Sequence, residues 1–386
     1  MKVKACKGTI LLTTLLMSVS GADSLADAFE NGKLNGELRS YYFIQKTGEE
    51  KADILDLAVR LSYSTDFYYG FKAAATLQSS NSPFANENAK NIFGAANSMY
   101  GPGAVLSESY ISYTLSKSTL KAGRQFISMP LMRGGIGKAV IQSYEGVTLS
   151  VDEVPYNKIY AAYIEKFQKQ TNGKGGAPKF EKLSGDYGYV LGIVNSYFDK
   201  LNLIGAYGGI KDEFSVLYME ANFKNGFSNF NYQAAVQYQH TDYDSFSLNN
   251  SNYYGVKVGA DFAGFNMYLS LAHVKDGNSQ FGVSGGGNAC TLFTSSYEHC
   301  AIYDKSKQYA IDANYNFKTL KLTAGVRYVN VDYEEIDEKT DWKSLYAVYS
   351  FGGSLKGLSI GLLYEDENSK NGADEDMYIV RTAYKF

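Results

Sequence analysis

"FNYQAAVQYQH", residues 230–240, changes character at every step. Phe230, Tyr232, Ala234, Val236 and Tyr238 fall on one side of an extended strand. Asn231, Gln233, Ala235, Gln237 and Gln239 fall on the other, because successive strand side chains point to opposite faces. One face is aromatic and apolar, the other rich in carboxamides. "YYGVKVGADF" (253–262) repeats the pattern, with Tyr254, Val256, Val258, Ala260 and Phe262 opposite Lys257 and Asp261. "QYAIDANYNF" (308–317) sets Tyr309, Ile311, Ala313, Tyr315 and Phe317 against Gln308, Asp312, Asn314 and Asn316, and "KLNGELRSYYFIQ" (33–45) sets Leu34, Leu38, Tyr42 and Ile44 against Lys33, Asn35, Glu37 and Arg39. A soluble sandwich would bury the apolar face, whereas a wide barrel would turn it to lipid and fill its inside with water.

Eighteen such segments are expected, starting near residues 33, 53, 69, 106, 118, 143, 157, 186, 200, 212, 229, 252, 265, 306, 320, 341, 357 and 376. That spacing, roughly 20 residues per strand and its connection, suits an outer-membrane barrel. The connections alternate in length. Short ones fall near 66–70, 116–118, 197–200, 224–229, 262–265, 317–320 and 352–357. Long ones fall near 80–105, 127–142, 167–185, 241–251, 277–305, 333–341 and 366–375, and the outer connection near 210–212 is the one short exception. Short turns on one side and long loops on the other are the habit of such barrels. An even strand number places both termini in the periplasm. The fold expected is therefore all-β, an 18-stranded antiparallel transmembrane β-barrel.

The ends of the chain agree. Lys2, Lys4 and Lys7 precede an apolar run, Thr9 to Val19, and small residues follow at Ser20-Gly21-Ala22 and again at Ser24-Leu25-Ala26. This predicts a signal peptide over 1–22, with cleavage as late as 26 as the alternative, and one barrel domain over 23–386. Its removal leaves 34 basic against 40 acidic residues, a net charge of −6, which argues against nucleic acid as a partner. The chain closes on "MYIVRTAYKF" (377–386), a final strand ending on an aromatic ring. Tyr384 and Phe386 resemble the signal that barrel-assembly machinery recognises.

Enzyme chemistry finds little purchase. The three histidines, His240, His273 and His299, form no His-Glu-x-x-His motif, and no Gly-x-Ser-x-Gly elbow occurs. "GGIGKA" (134–139) lacks phosphate-loop spacing. Cys290 and Cys300, in an exported chain, are expected to form a disulfide that pins the 277–305 loop, and with His299 alone beside them they make no zinc site. No organic cofactor is implied. The acidic tracts 332–341 and 364–376 read as loops that offer oxygen ligands to a divalent cation, although such runs are more often merely solvated.

A pore needs inward charge. Lys33, Glu37, Arg39, Arg60, Lys72, Glu108, Glu220, Lys257, Asp312, Lys321, Arg327, Arg381 and Lys385 take lumen parity, giving a mixed-charge lining. The loop within "GRQFISMPLMRGGIGKAVIQSYEG" (123–146) is too apolar to lie in water, so it is expected to fold inward and carry Arg133 and Lys138 to the constriction. With these two, Arg39, Arg60, Glu108, Arg327 and Arg381 are the candidate selectivity residues.

"GELRSYYFIQ" (36–45) resembles the first strand of OprD-type porins, with Leu38, Arg39, Tyr41, Tyr42 and Phe43 on the family pattern. "LKAGRQ", "MPLMRG" and "SYEGVTLS" (120–125, 129–134 and 143–150) are similar to that family's fifth strand, inward third loop and sixth strand. The resemblance implies a channel for small hydrophilic solutes and ions, carboxylate-bearing nutrients among them, in contact with outer-membrane lipid, as a monomer or a homotrimer. It also implies a ladder of lumenal basic residues, with Arg39 carried by motif and Arg133 by its place after the Met-Pro stretch. The competing reading is an outer-membrane adhesin or structural barrel with a plugged lumen.

Overall fold

A computed structural model of the 386-residue chain describes residues 21–95, 99–245, 247–280, 282–283, 292–298 and 305–386. All but the last two residues of the expected signal peptide, and both Cys290 and Cys300, lie outside the described residues.

Eighteen strands form one ring. They are β1 (Lys33–Thr47), β2 (Glu50–Ser64), β3 (Phe71–Asn81), β4 (Gly103–Leu115), β5 (Ser118–Gln125) and β6 (Ser143–Val151). Next come β7 (Asn157–Gln168), β8 (Gly188–Asn195), β9 (Leu201–Ile210), β10 (Phe214–Phe227), β11 (Phe230–Tyr243) and β12 (Ser251–Phe262). The last are β13 (Phe265–Lys275), β14 (Ser306–Phe317), β15 (Leu322–Tyr333), β16 (Lys339–Ser350), β17 (Leu358–Ser369) and β18 (Glu375–Lys385). Each pairs antiparallel with its neighbour in sequence. β18 returns to β1 in eleven register pairs, from Glu37↔Lys385 to Thr47↔Glu375, so the sheet closes and no edge is left.

Polarity is distributed inside out. Val236, Val256, Leu269, Leu271, Ile311, Leu345 and Leu362 are exposed on the outer face, while Gln237, Gln239, Ser270, Gln308, Asp312, Ser344 and Glu365 are buried on the inner one. A water-soluble fold would do the reverse, so the outer wall is built for hydrocarbon. Two aromatic belts bound it. At the turn end Phe71–Tyr113, Phe227–Phe230, Tyr315–Phe317 and Tyr384–Phe386 rings meet at 4.6–5.9 Å. At the loop end the belt is tyrosine: Tyr163–Tyr187, Tyr238–Tyr254, Tyr309–Tyr328 and Tyr364–Tyr378 lie 4.8–5.7 Å apart. Amphipathic rings of this kind sit at membrane–water interfaces. Among the described residues no helix is long and apolar enough to cross a membrane, and the strands do that work.

The tight turns follow from backbone chemistry. Ala263-Gly264 between β12 and β13 has φ of +51° and +91°, both central residues left-handed, as a type I′ hairpin needs. Tyr69-Gly70 repeats this at +50° and +83°. At the other end, 334–338 and 370–374 are five residues each where longer loops are expected, and two connections are shorter still rather than the one expected. Beside 211–213, the β1–β2 hairpin turns on Gly48-Glu49 alone, because both strands run on past the apolar band.

Candidate functional site

The inner wall of β1, β2 and β18 carries a charge cluster. Glu37 is buried and accepts from Arg39 Nε at 3.0 Å and from Arg60 across the β1–β2 register. Two guanidiniums on one carboxylate leave net positive charge at this point. Arg381 of β18 donates to Tyr41 Oη at 2.5 Å and pairs with Glu298.

Residues 127–142 are tied to this wall. Arg39 Nη1 donates to the Lys138 carbonyl at 2.9 Å. Gln78 of β3 makes a two-way bond with Ile141, donating to its O and accepting from its N, each at 2.9 Å. Gln168 of β7 donates to the same carbonyl at 3.1 Å. Glu108 of β4 accepts from Thr76 Oγ1 at 2.6 Å and Phe126 N at 3.2 Å, holding the start of the segment. Between these ties a small hairpin pairs Ser128–Met129 with Met132–Arg133. Its apolar residues are covered: Ile127, Leu131 and Met132 pack with Tyr144, Tyr160 and Ile164 of the wall. Burial holds the Lys138 ammonium below the usual lysine range, with Glu298 opposing the shift and Arg381 adding to it.

A second segment, 292–298, crosses from β14's side of the wall to β17's. Arg327 of β15 donates to the Ser295 carbonyl at 2.8 Å and to that of Phe293 at 3.0 Å. Glu365 of β17, fully buried, accepts from Ser344 Oγ at 2.6 Å, Ser296 Oγ at 3.0 Å, Tyr297 N at 3.1 Å and Glu298 N at 3.3 Å. Val283, outside both segments, donates its N–H to the Leu131 carbonyl at 2.6 Å. Between the two segments lies a cavity of about 670 Å³. Its cations are Arg133, Lys257 and Arg327, its carboxylates Glu220 and Asp312, and Tyr297 and Tyr346 add aromatic faces.

The seven candidate residues therefore divide. Arg39, Arg60, Lys138 and Arg381 gather near β1, β2 and β18, and Arg133 and Arg327 line the cavity. Glu108 anchors the segment's start, and its charge also acts on Arg60. Glu365 was the main residue missed. The tract 364–376 reads as loop, but β17 runs to Ser369 and turns Glu365 inward. Asp341, likewise, stands on β16 and not in a loop. Among the described residues no three His, Cys, Asp or Glu side chains gather as a metal site, in these tracts or elsewhere. Tyr384 and Phe386 sit at the seam where the ring closes.

A family model described as outer membrane porin, OprD family, matches residues 87–386, and so extends past the motifs at 120–150 through the later strands. A search of curated proteins finds no match. Among solved structures the chain is similar to OccAB1 of Acinetobacter baumannii, with 15% identity, a TM-score of 0.81, and coverage of 95% of this chain and 99% of that one. It is similar to OccD3 (OpdP) of Pseudomonas aeruginosa, with 16% identity, a TM-score of 0.80, and coverage of 96% and 94%. OpdK of Pseudomonas aeruginosa, solved with vanillate, has 17% identity, a TM-score of 0.78, and coverage of 93% and 99%.

Proposed function

The chain belongs to the OprD family of outer membrane porins, and from that premise we propose a diffusion channel for small hydrophilic solutes that favours those bearing a carboxylate. One observation carries the preference: Arg133, Lys257 and Arg327 converge on a single cavity beside only two carboxylates. Guanidinium groups hold carboxylates in a bidentate fork, and Tyr297 and Tyr346 supply faces for an apolar or aromatic remainder. The vanillate solved with OpdK is a solute of that shape, a carboxylate on an aromatic ring.

In this reading residues 127–142 turn into the lumen and narrow it, supported by the bonds from Arg39, Gln78 and Gln168. Both termini lie in the periplasm with the long loops outside, residues 1–22 are a cleaved export signal, and the channel works by passive diffusion without catalysis. Cys290 and Cys300 form a disulfide; digestion without reduction should yield the linked peptide, and alkylation of both thiols in unreduced protein would exclude it.

The test is single-channel current in a planar bilayer under a salt gradient. Discrete open steps are expected, and a silent, folded barrel would favour a plugged adhesin instead. Arg39→Ala with Arg133→Ala should move the reversal potential toward cation preference. The expected change in the anion-to-cation permeability ratio is up to roughly 30-fold, since two lumenal charges at water-like screening are each worth on the order of 1 kcal/mol. An unmoved reversal potential would take both residues out of the constriction.

A further inference from the structure

On the outer face, near the loop end of β5, β6 and β7, charges stand in one register row. Arg124 pairs with Glu145, Glu145 with Lys166, and Lys166 with Lys182 of a short strand, Phe180–Lys182. Glu145 is held by both neighbours, at 2.8 Å from Arg124 Nε and also by Lys166 Nζ. That these side chains face outward follows from the strands themselves, whose exposed apolar residues Leu120, Val147, Leu149 and Tyr163 share the row's side of the wall. Charge on the lipid-facing wall is costly at the midplane and cheap only near the interface.

The height of the row is marked. Tyr163, Tyr187, Tyr189 and Tyr207 form a chain of neighbouring rings on the same wall, with centroids 5.2–6.4 Å apart. Tyr163 lies just before Lys166 on β7, so the charges sit one step from this belt toward the loops, at headgroup depth. Arg124 also lies over the Phe180 ring at 4.4 Å. The chain beyond β7 adds to the same sign: exposed Lys169, Lys174, Lys179 and Lys182 stand against a single acid, Glu181, between residues 169 and 182. The loop 334–338 carries four acids and no base, so this basic surface is local and does not reflect the chain's net negative charge.

We propose that the Arg124–Glu145–Lys166–Lys182 row, with the lysines above it, is a docking surface for the phosphorylated headgroup of an anionic outer-leaflet lipid. Glu145 spaces the cations and keeps Arg124 and Lys166 extended along the wall. Lys166 and Lys182, directly opposite each other, supply the phosphate contact, with Glu145 on Lys166 and Glu165 beside Tyr163 as the acids of the same surface, and the tyrosine chain lies against the upper acyl region. The inference rests on the reading that the long-loop end lies in the outer leaflet.

The test is retention of lipid by the purified full-length barrel. Wild-type protein, passed through mild delipidation in the presence of lipopolysaccharide, should keep a bound molecule detectable by native mass spectrometry. Lys166→Gln with Lys182→Gln should weaken retention by roughly fivefold per lysine, about 25-fold together, since one interfacial cation is worth on the order of that factor. Dephosphorylated glycolipid and phosphatidylcholine should not be retained by either protein. Equal retention by wild type and variant, or retention without phosphate, overturns the proposal. Heat-modifiable migration shows that the variant folds. Unit conductance on the same sample separates the two claims: a conducting barrel that keeps no lipid sinks only the docking surface, and a silent one sinks the channel.

Discussion

Glu365→Ala should raise unit conductance severalfold and make the open state noisy. Glu365, fully buried, gathers four donors: the Ser344 and Ser296 hydroxyls and the backbone N–H groups of Tyr297 and Glu298. Each donor left buried without an acceptor costs about 1–3 kcal/mol, and bonds to a charged group are the stronger kind. Losing all four therefore costs several kcal/mol, more than a seven-residue segment with no regular secondary structure recovers from its remaining ties. Those ties include Arg327 to the carbonyls of Phe293 and Ser295, Thr294 to Gln308 at 2.5 Å, Tyr297 Oη to Asp312 at 3.3 Å, and Arg381 to Glu298. The ring itself is held by strand pairing and should stay folded, so the released segment swings clear and widens the path. Glu365→Gln keeps the shape and one acceptor, and should give an intermediate conductance. If Glu365→Ala conducts as wild type while migrating as a folded barrel, residues 292–298 do not restrict the channel.

How far the sequence predicts this molecule depends on the solvent each residue meets. Between the aromatic belts lipid lies on one side and water or loop on the other, so alternation is enforced and a strand such as β11 is legible at sight. Above the loop-side belt both faces of a strand meet polar surroundings, and the signal fades. β1 and β2 run on through Gln45–Thr47 and Glu50–Ala52, where no apolar face betrays a strand, and so their two-residue hairpin was unforeseen. Glu365 was lost in the same way. Its tract alternates Tyr364, Glu365, Asp366, Glu367, and three acids in four residues look like loop although Glu365 and Glu367 take one face and Tyr364 and Asp366 the other.

Parity also carried most of the lining. Arg39, Arg60, Arg327 and Arg381 were assigned by counting from strand positions, and each stands on the inner wall. Counting fails at bulges, where one extra residue turns the pattern over. The register shift between Glu145 and Gly146, opposite Glu165 of β7, is such a place, and the outward row through Lys166 could not be read before the pairing was seen. Partners across long sequence distances were beyond reach as well. Nothing near Arg381 foretells Tyr41 or Glu298, because the closure of β18 on β1 and the path of a long loop decide both.

Deleting Phe386 should cut the amount of assembled barrel in outer membranes about tenfold while leaving refolding in detergent almost unchanged. The contrast follows from the size of what the residue contributes to the finished ring. Phe386 N donates to the Gly36 carbonyl at 3.0 Å and its own carbonyl accepts from Gly36 N at 2.8 Å, extending the β1–β18 seam by one pair. Two such bonds are worth about 1 kcal/mol each, against eleven register pairs that remain. The ring lies against Gly36, where even a Cβ would come within 2.1 Å of it, and stands 5.9 Å from Tyr384. Yet more than half of Phe386 stays exposed, so its burial adds little further stability. A loss of about 2 kcal/mol does not unfold a closed 18-stranded ring, and a tenfold loss of assembled protein must then come from a step that precedes closure. Before closure β18 is a free edge that ends on two aromatic rings, the form in which assembly machinery would meet it. Phe386→Tyr keeps the aromatic end and should assemble normally. If detergent refolding falls as far as assembly in cells does, the terminal ring serves the seam and is not a signal.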